Sequence, residues 1–356
     1  MSLNIGRERG GSSLLSEKAP SAALMNLSNP DDLNRKLASV YAPVAEEMAE
    51  AERVFAQELG SRFSFVQQLV DHCADFHGKR LRPALVLLTA KACGSLTKEH
   101  PVLAAVVEMV HTATLVHDDI LDEALVRRHA ATVNAEWGNE TAVLMGDYLF
   151  THAFHLAASL ESTLACRWIG RATNLVCEGE MQQVHNRGNL DLDENSYYEI
   201  VRGKTAELTA VSCRLGAHYA GASRGLVDAL DGYGRDLGVA FQIADDVLDI
   251  WGEERSTGKS LGTDLDKQKL TLPIIHLLRT SEPAAAERFR RLILAEGAES
   301  RQLLKPHLES SGSLAYAWDK AKAFAGQASD ALELLPDSPA RSVLRGLTHY
   351  VVRRSA

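Results

Sequence analysis

Two short stretches of this chain carry the same pattern of acidic and apolar residues. Residues 111–122 read HTATLVHDDILD, and residues 241–249 read FQIADDVLD, so both end in Asp-Asp-apolar-apolar-Asp. The six carboxylates are Asp118, Asp119, Asp122, Asp245, Asp246 and Asp249. Because an α-helix turns by about 100° per residue, each pattern places three carboxylates on one stripe of an otherwise apolar helix.

Carboxylates in apolar surroundings need a positive partner. Three uncompensated charges in a protein core would cost many kcal/mol. Two such stripes that face each other would form an oxygen-rich cage for hard divalent cations, and Mg²⁺ binds through a few carboxylates together with substrate phosphates. A lone motif of this kind would be an ordinary exposed acidic helix face. Two motifs with apolar flanks instead predict a diphosphate that metal ions bridge between two helices.

The composition excludes several other classes of protein. The chain has 356 residues, a formal net charge of −9 and 46% hydrophobic residues, so we expect no nucleic-acid partner. No apolar stretch approaches the ~18 residues that span a bilayer, and we expect neither a transmembrane segment nor a secretory signal. The five cysteines form no CxxC, which argues against a disulfide framework and a zinc site and favours the cytoplasm.

The pattern along the chain is helical after a polar start. Residues 1–30 are rich in Gly, Ser, Asn and Pro, and we expect a flexible N-terminal tail. Strand-like alternation is absent, and apolar helices are predicted over 101–125, 141–159 and 228–251. Loops are predicted near 186–193 and 252–262. No linker divides the remainder, so the sequence predicts an all-α fold with a single large helical domain over residues 31–356.

Basic residues could hold a second anion. The stretch GKRLRP at residues 78–83 precedes an apolar helix, and its proline suits a first helical turn. Lys79 and Arg82 would lie at the helix N-terminus, where backbone N–H groups bind anions. Arg127 and Arg128 follow the first acidic motif by about one and a half turns. Taken alone, each basic group would be an ordinary solvated cluster.

His111 lies two helical turns before Asp118, on the same helix face. A histidine in an apolar helix is more often a hydrogen-bonded core residue than a ligand. Glu108 and His111 also match the Glu-x-x-His spacing of di-iron carboxylate bundles. That alternative needs a second Glu-x-x-His, which the sequence lacks.

Taken together, these motifs resemble the trans-isoprenyl diphosphate synthase (polyprenyl synthetase) family. The matching motifs stand in the family's order and cover the chain from about residue 31: GKRLRP at 78–83, HTATLVHDDILD at 111–122, Arg127-Arg128, GDYLF at 146–150, EGEMQQ at 178–183, KTAEL at 204–208, FQIADDVLD at 241–249 and GKSLGTDLDKQKLTLP at 258–273. The resemblance implies an isoprenoid synthase fold around a central active-site cavity, as a homodimer. It also implies a magnesium-dependent trans-prenyltransferase that joins isopentenyl diphosphate to an allylic diphosphate, farnesyl or geranyl.

The resemblance assigns roles to individual residues. The six aspartates would hold about three Mg²⁺ around the allylic diphosphate. All of them except Asp249, together with Lys204 and Lys259, would be the catalytic groups. Arg127, Thr205 and Gln242 would support the allylic side, and Lys269 would help to close the site. Isopentenyl diphosphate would be bound by Lys79, Arg82, His111 and Arg128.

Three positions depart from the family pattern. His129 stands where glycine usually follows the arginine pair, and Gln268 stands where glycine usually precedes the last lysine. Glu123 adds a carboxylate after Asp122. None of them removes a proposed ligand, so the departures concern loop conformation rather than activity.

Product length in this family depends on residues one turn before the first aspartates, where bulky aromatic side chains close the pocket. Here these residues are Ala113 and Thr114, and the first acidic motif has no insertion. The resemblance therefore implies a long-chain product of about C30 to C50, since each carbon–carbon step needs about 1.3 Å of pocket. Phe150 and Phe154, on the following helix, are candidates for the pocket floor.

Other functions remain open from sequence. A geranylgeranyl diphosphate synthase would need a bulky floor within about three turns of Asp118. A non-catalytic subunit of a heteromeric synthase is expected to have lost aspartates, yet all six are present. A terpene cyclase generally carries a different second metal motif.

Overall fold

The computed structural model describes residues 40–74, 79–127, 130–251, 262–295 and 299–353. The predicted N-terminal tail and residues 252–261 of the predicted loop at 252–262 lie outside the described residues, as do Arg128, His129 and Lys259. The described residues are almost entirely helical, which confirms the predicted all-α fold.

The helices follow one another with short connections. In the first half they are α1 (Ala45–Leu59), α2 (Ser64–Ala74), α3 (Leu81–Cys93), α4 (Glu99–Leu121), α5 (Val133–Ala158), α6 (Leu164–His185) and α7 (Glu194–Val201). The later helices are α8 (Glu207–Tyr219), α9 (Arg224–Trp251), α10 (Thr263–Asp266), α11 (Leu272–Thr280), α12 (Pro283–Leu294), α13 (Glu299–Ser310), α14 (Ser313–Ala331) and α15 (Pro339–Val351). Short 3₁₀ turns span Ala42–Val44 and Leu332–Leu334, and a π-helical turn spans Arg202–Ala206.

A small antiparallel ribbon follows the first acidic motif. Strand β1 (Val126–Arg127) pairs with β2 (Ala130–Ala131), with Arg127 opposite Ala130. The sequence did not predict it, because two residues per strand are too few to show an alternating pattern. The ribbon turns the chain back, so that Arg127 reaches the end of α4.

Helix α9 joins two hydrophobic clusters. Its first half, with Tyr233 and Leu237, packs into a cluster with α1 to α6, α8 and α15. Its second half, with Ile243 and Val247, packs into a cluster with α7 and α11 to α14. The Tyr233 hydroxyl is buried and donates a hydrogen bond to the Leu344 carbonyl oxygen at 2.9 Å, which satisfies the polar atom within the core. The second acidic motif therefore lies at the end of a firmly held helix.

Glycines allow the central helices to approach closely. A Cβ atom at Gly216 of α8 would overlap the Thr89 hydroxyl and the Val86 carbonyl oxygen of α3. A Cβ atom at Gly146 of α5 would overlap the His117 ring of α4. These contacts hold α3 against α8, and α4 against α5, at distances that larger residues could not match.

We expect Gly216→Ala to lower the free energy of unfolding by about 2 to 3 kcal/mol, because the added methyl group must displace backbone in a packed interface. Gly326→Ala is the matched control, since Gly326 lies inside α14 with open space around its Cβ position. This control should raise the free energy of unfolding by about 0.5 to 1 kcal/mol. Denaturant unfolding measures both values, and equal effects would contradict the close packing of α3 and α8.

Candidate active site

The first acidic motif lies at the C-terminal end of α4. The helix is buried upstream, ends at Leu121 and is followed by Asp122 as its C-cap. Partly accessible residues recur along one face at His111, Thr114, Asp118 and Asp122, while Asp119 is only 1% exposed. The predicted stripe of polar groups on an apolar helix is therefore present.

Asp119 is neutralised by an arginine of the ribbon. Arg127 Nε lies 2.8 Å from Asp119 Oδ1 and 2.9 Å from Oδ2, and a terminal guanidinium nitrogen lies 2.7 Å from Oδ1. Such forked pairs are the strong form of charge-assisted hydrogen bond, and a buried carboxylate needs one. In this structure Arg127 thus holds a carboxylate of the acidic motif.

Asp122 is neutralised by two lysines that follow the second motif. Lys267 Nζ lies 2.8 Å from Asp122 Oδ1 and also donates to the Asp122 carbonyl oxygen. Lys269 Nζ lies 3.2 Å from the same Oδ1. Burial alone would raise the pKa of Asp122, but Lys269 and Lys267 outweigh it and lower the pKa to about 2.

The second motif is fixed by a chain of hydrogen bonds. Asp246 is 4% exposed, and its Oδ2 accepts a hydrogen bond from the Tyr197 hydroxyl at 2.6 Å. Gln242 Nε2 donates to Asp246 Oδ1 at 2.8 Å, and the Thr205 hydroxyl donates to Gln242 Oε1 at 2.8 Å. Burial, followed by the charge of Asp264, raises the pKa of Asp246 to about 8. This carboxylate is therefore well oriented but short of positive charge.

The other two aspartates of this motif are partly accessible. Asp249 Oδ2 accepts a hydrogen bond from the Asp264 backbone N–H at 3.2 Å, and the Asp249 carbonyl oxygen accepts one from Gly262 N–H at 3.0 Å. Asp245 belongs to the same stripe of α9. The returning chain at α10 thus packs directly against the motif.

Lys204 is carried by the π-helical turn. Its Nζ lies 2.7 Å from Glu180 Oε2 of α6. A Cβ atom at Gly179 would overlap the backbone nitrogen of Lys204, so the glycine lets α6 touch the turn. Burial would lower the pKa of Lys204, but Glu180 and Asp118 outweigh it and raise the pKa, so the ammonium stays charged. Burial in turn raises the pKa of Asp118 to about 6, against the opposing effect of Lys204.

Two bridges connect the acidic motifs. Lys269 Nζ lies 3.2 Å from Asp122 Oδ1 and 3.8 Å from Asp264 Oδ1. The Asp264 backbone N–H in turn donates a hydrogen bond to Asp249. Lys204 lies close enough to Asp118 for its charge to lower the pKa of that carboxyl, and the next residue, Thr205, starts the hydrogen-bond chain to Asp246. A cavity of about 60 Å³ lies beside the second motif, with Lys204, Thr205, Gln242, Asp246 and Lys269 in its wall. The two lysines therefore bring the motifs together as the two walls of one site.

The residues predicted to bind isopentenyl diphosphate gather beside this site. Arg82 Nη1 lies 3.0 Å from His111 Nε2. Lys79 Nζ lies 5.9 Å from the ring centroid of Phe241 and 5.3 Å from that of Tyr350. Phe241 directly precedes Gln242, so this basic group borders the second acidic motif. Arg128 and Lys259 lie outside the described residues, and their roles stay predictions.

The residues predicted to set product length surround the α4–α5 contact. Ala113 has no accessible surface, whereas Thr114 is partly accessible and donates its hydroxyl to the His111 carbonyl oxygen at 2.7 Å. The Phe150 ring packs against His117 with 5.8 Å between centroids. Phe154 is half-buried on the same helix. Of the two small residues, Thr114 is the one on the face that carries the aspartates.

The oxygen donors of the two acidic motifs suit a magnesium ion. Within the described ranges, no three acidic, histidine or cysteine side chains converge into a ready-made metal site. Mg²⁺ usually takes one or two protein carboxylates and fills its remaining positions with water and phosphate oxygens. The buried Asp246, whose pKa is raised, shows where positive charge would be favourable. All-oxygen donors on two walls suit this hard cation.

Gln268, which stands where the family usually has glycine, lies in a turn with a strained backbone conformation. Gln268 has φ 54°, in the left-handed region that glycine adopts without a Cβ penalty. The cost for another residue is about 1 to 2 kcal/mol. Its carbonyl oxygen accepts a hydrogen bond from Gly188 N–H at 2.9 Å, which anchors the turn between Lys267 and Lys269. Glu123, with φ 48°, is left-handed as well.

Comparison with known proteins identifies the family. Residues 63–309 match the family model described as polyprenyl synthetase. The chain belongs to the polyprenyl synthetase family. Octaprenyl diphosphate synthase of Escherichia coli is 37% identical over 313 residues, which cover 87% of this chain and 96% of that relative. Nonaprenyl diphosphate synthase of Mycobacterium tuberculosis is 38% identical over 322 residues, which cover 88% and 94%.

A solved relative has the same fold. The polyprenyl synthase of Caulobacter crescentus, complexed with calcium and isoprenyl diphosphate, gives a TM-score of 0.85 at 34% identity. The match covers 93% of this chain and 100% of that one. The predicted isoprenoid synthase fold and trans-prenyltransferase activity are thereby confirmed for this polyprenyl synthetase family member. None of its described helices is long and apolar enough to cross a membrane.

Sequence reasoning missed three residues of the site. Glu180 and Lys267 lie inside the motifs EGEMQQ and GKSLGTDLDKQKLTLP, but the sequence alone assigns neither a role. Their charge, and their position beside predicted site residues, are the features that could have indicated one. Tyr197 lies 49 residues from Asp246 in the chain, and no spacing rule connects them. Only the packing of α7 against α9 brings its hydroxyl to the carboxylate.

We expect Lys267→Gln to increase the affinity for Mg²⁺ about three- to tenfold, because the ammonium competes for Asp122 and repels cations. Titration calorimetry without diphosphate measures the dissociation constant. Lys322→Gln is the charge-matched control, since Lys322 pairs with Asp319 on the exposed face of α14. Unchanged or weaker Mg²⁺ binding in Lys267→Gln would show that Lys267 does not occupy a metal position.

Proposed function

We propose that this chain condenses isopentenyl diphosphate with an allylic diphosphate, with Mg²⁺ bound, to make a trans-polyprenyl diphosphate of about C30 to C50. The observation that carries the proposal is the double bridge between the acidic motifs. Lys269 connects Asp122 to Asp264 on the second wall. Lys204 is close enough to Asp118 to lower the pKa of that carboxyl, and the adjacent Thr205 begins the hydrogen-bond chain to Asp246. A diphosphate between the walls would meet carboxylate-bound metal and lysine together.

The allylic diphosphate would lie between α4 and α9. The six aspartates would hold about three Mg²⁺, and these ions would neutralise the charge of the departing diphosphate. Lys204 adds a fixed positive charge at the same place, and we assign Arg127 and Lys259 to the same diphosphate. Tyr197 and Gln242 keep Asp246 in one orientation, so the second wall is preorganised.

Isopentenyl diphosphate would bind beside it through Lys79, Arg82, His111 and Arg128. This would place its double bond next to the ionising allylic carbon, and apolar walls would exclude water from the carbocation. The released diphosphate serves as the base for the final proton loss, so no side-chain base is required.

We propose a long-chain product. The relatives that make octaprenyl and nonaprenyl diphosphate support this assignment. The small side chains of Ala113 and Thr114 leave room behind the first motif, and Phe150 and Phe154 are proposed as the floor. The chain-length pocket would then run along the α4–α5 contact.

We further propose a cytoplasmic homodimer built on one catalytic domain over residues 31–356. Exposed apolar side chains on α5 and α6 support the dimer, among them Leu144 at 68% and Met181 at 62% exposure. Val143 and Val184 extend the same two faces. The five cysteines are free thiols, in keeping with a reducing compartment.

The direct test incubates the purified protein with Mg²⁺, labelled isopentenyl diphosphate and farnesyl diphosphate, then sizes the dephosphorylated products by chromatography. We expect a ladder that ends between about C30 and C50. A single C20 product would keep the reaction but overturn the long-chain assignment. No incorporation by folded protein with any allylic primer would favour a non-catalytic subunit.

Thr114→Phe should shorten the products by one or more isoprene units, because the ring would block the accessible face of α4 behind the aspartates. The same chromatographic assay measures the shift. Thr112→Val is the control, since Thr112 is buried and donates only to the Glu108 carbonyl oxygen of its own helix. Products of unchanged length from Thr114→Phe would place the pocket elsewhere.

A further inference from the structure

Glu108 and His111, which lie one helical turn apart on α4, each contact an arginine at the start of α3. Glu108 Oε1 accepts a hydrogen bond from Arg80 Nη1 at 2.6 Å, and His111 Nε2 lies 3.0 Å from Arg82 Nη1. Glu108 is 7% exposed, and its Oε2 has no hydrogen-bond partner among the described residues. One helical turn of α4 thus holds two neighbouring cations, which explains the spacing without a second metal centre.

Arg80 occupies an unusual backbone position. It has φ 47°, in the left-handed region, and it is the N-cap of α3. Non-glycine residues take this conformation only where surrounding contacts hold them. On one side the Tyr41 hydroxyl donates to the Lys79 carbonyl oxygen at 3.1 Å. On the other side Glu108 holds the Arg80 guanidinium, so the turn between Lys79 and Arg82 is fixed from both ends.

Because Glu108 is negatively charged, its pairing with Arg80 affects how strongly an anionic ligand can bind nearby. Glu108 lies one turn from His111 on the same helix, so an unpaired carboxylate there would repel a diphosphate and attract Arg82. Glu52 is the other acid near Arg80, at 4.0 Å, but it is 61% exposed and well screened. Arg80 is therefore the group that cancels the Glu108 charge.

We propose that Arg80 and Glu108 are positioning residues for the isopentenyl diphosphate site. Their pair holds the left-handed turn, and it keeps the Glu108 carboxylate from opposing the positive charge of Lys79 and Arg82 towards the ligand. This inference rests on the proposed function, which assigns those three residues to isopentenyl diphosphate.

The test compares Arg80→Met, Glu108→Gln and the double variant Arg80→Met/Glu108→Gln. Arg80→Met should raise the KM for isopentenyl diphosphate about tenfold or more, with the KM for farnesyl diphosphate within about twofold of the parent value. The double variant should recover to within about threefold of the parent KM, because it leaves no carboxylate uncompensated and loses only the hydrogen bond that holds the turn. Arg341→Met is the matched control, since Arg341 is a buried arginine paired with Glu333 and Asp337.

The outcomes separate three explanations. Arg341→Met should lower the unfolding midpoint without changing either KM. If Arg80→Met raises both KM values alike, or the double variant shows no recovery, the pair is only structural and the inference is overturned. If Arg82→Met leaves the KM for isopentenyl diphosphate unchanged, the site assignment itself fails, and the inference with it. If Arg80→Met does not fold, the double variant decides. A KM for isopentenyl diphosphate near the parent value supports the inference that Arg80 cancels the Glu108 charge, and a KM still raised tenfold overturns it.

Discussion

The structure depends on one constraint: carboxylates carried on apolar helices must be compensated. Each buried carboxylate of the two motifs has a charged or polar partner in the described residues, and the partners come from separate parts of the chain. Arg127 is carried by the ribbon, Lys204 by the π-helical turn, and Lys267 by the strained turn at Gln268. The irregular elements therefore lie where cations must reach the end of α4.

The same cations explain how the protein can act on a diphosphate. In this structure lysines neutralise Asp122 and Glu180 neutralises Lys204, so the site is held together by internal ion pairs. On the proposed function, a diphosphate with its metal ions would take over both halves of these pairs, the carboxylates through metal and the lysines directly. Metal and substrate would then share one site.

The sequence was sufficient for the fold, for both acidic walls and for most of the cations, because helical periodicity and charge on an apolar face are local signals. Tyr197 and the π-helical turn that carries Lys204 could not be predicted. The first depends on a contact between helices far apart in the chain, and the second on a glycine contact that lets α6 approach. Glu108 was visible in the sequence, but its partner Arg80 became apparent only from the packing of α3 against α4.

On the proposed function, neither the metal site nor the diphosphate site is complete alone. Calorimetric titration of Mg²⁺ into the protein, with and without an unreactive thio analogue of farnesyl diphosphate, measures this dependence. We expect Mg²⁺ affinity to be at least about tenfold higher when the analogue is bound, because phosphate oxygens would complete the coordination. Equal affinity and equal stoichiometry in both titrations would contradict it, and would mean that the aspartates form a metal site of their own.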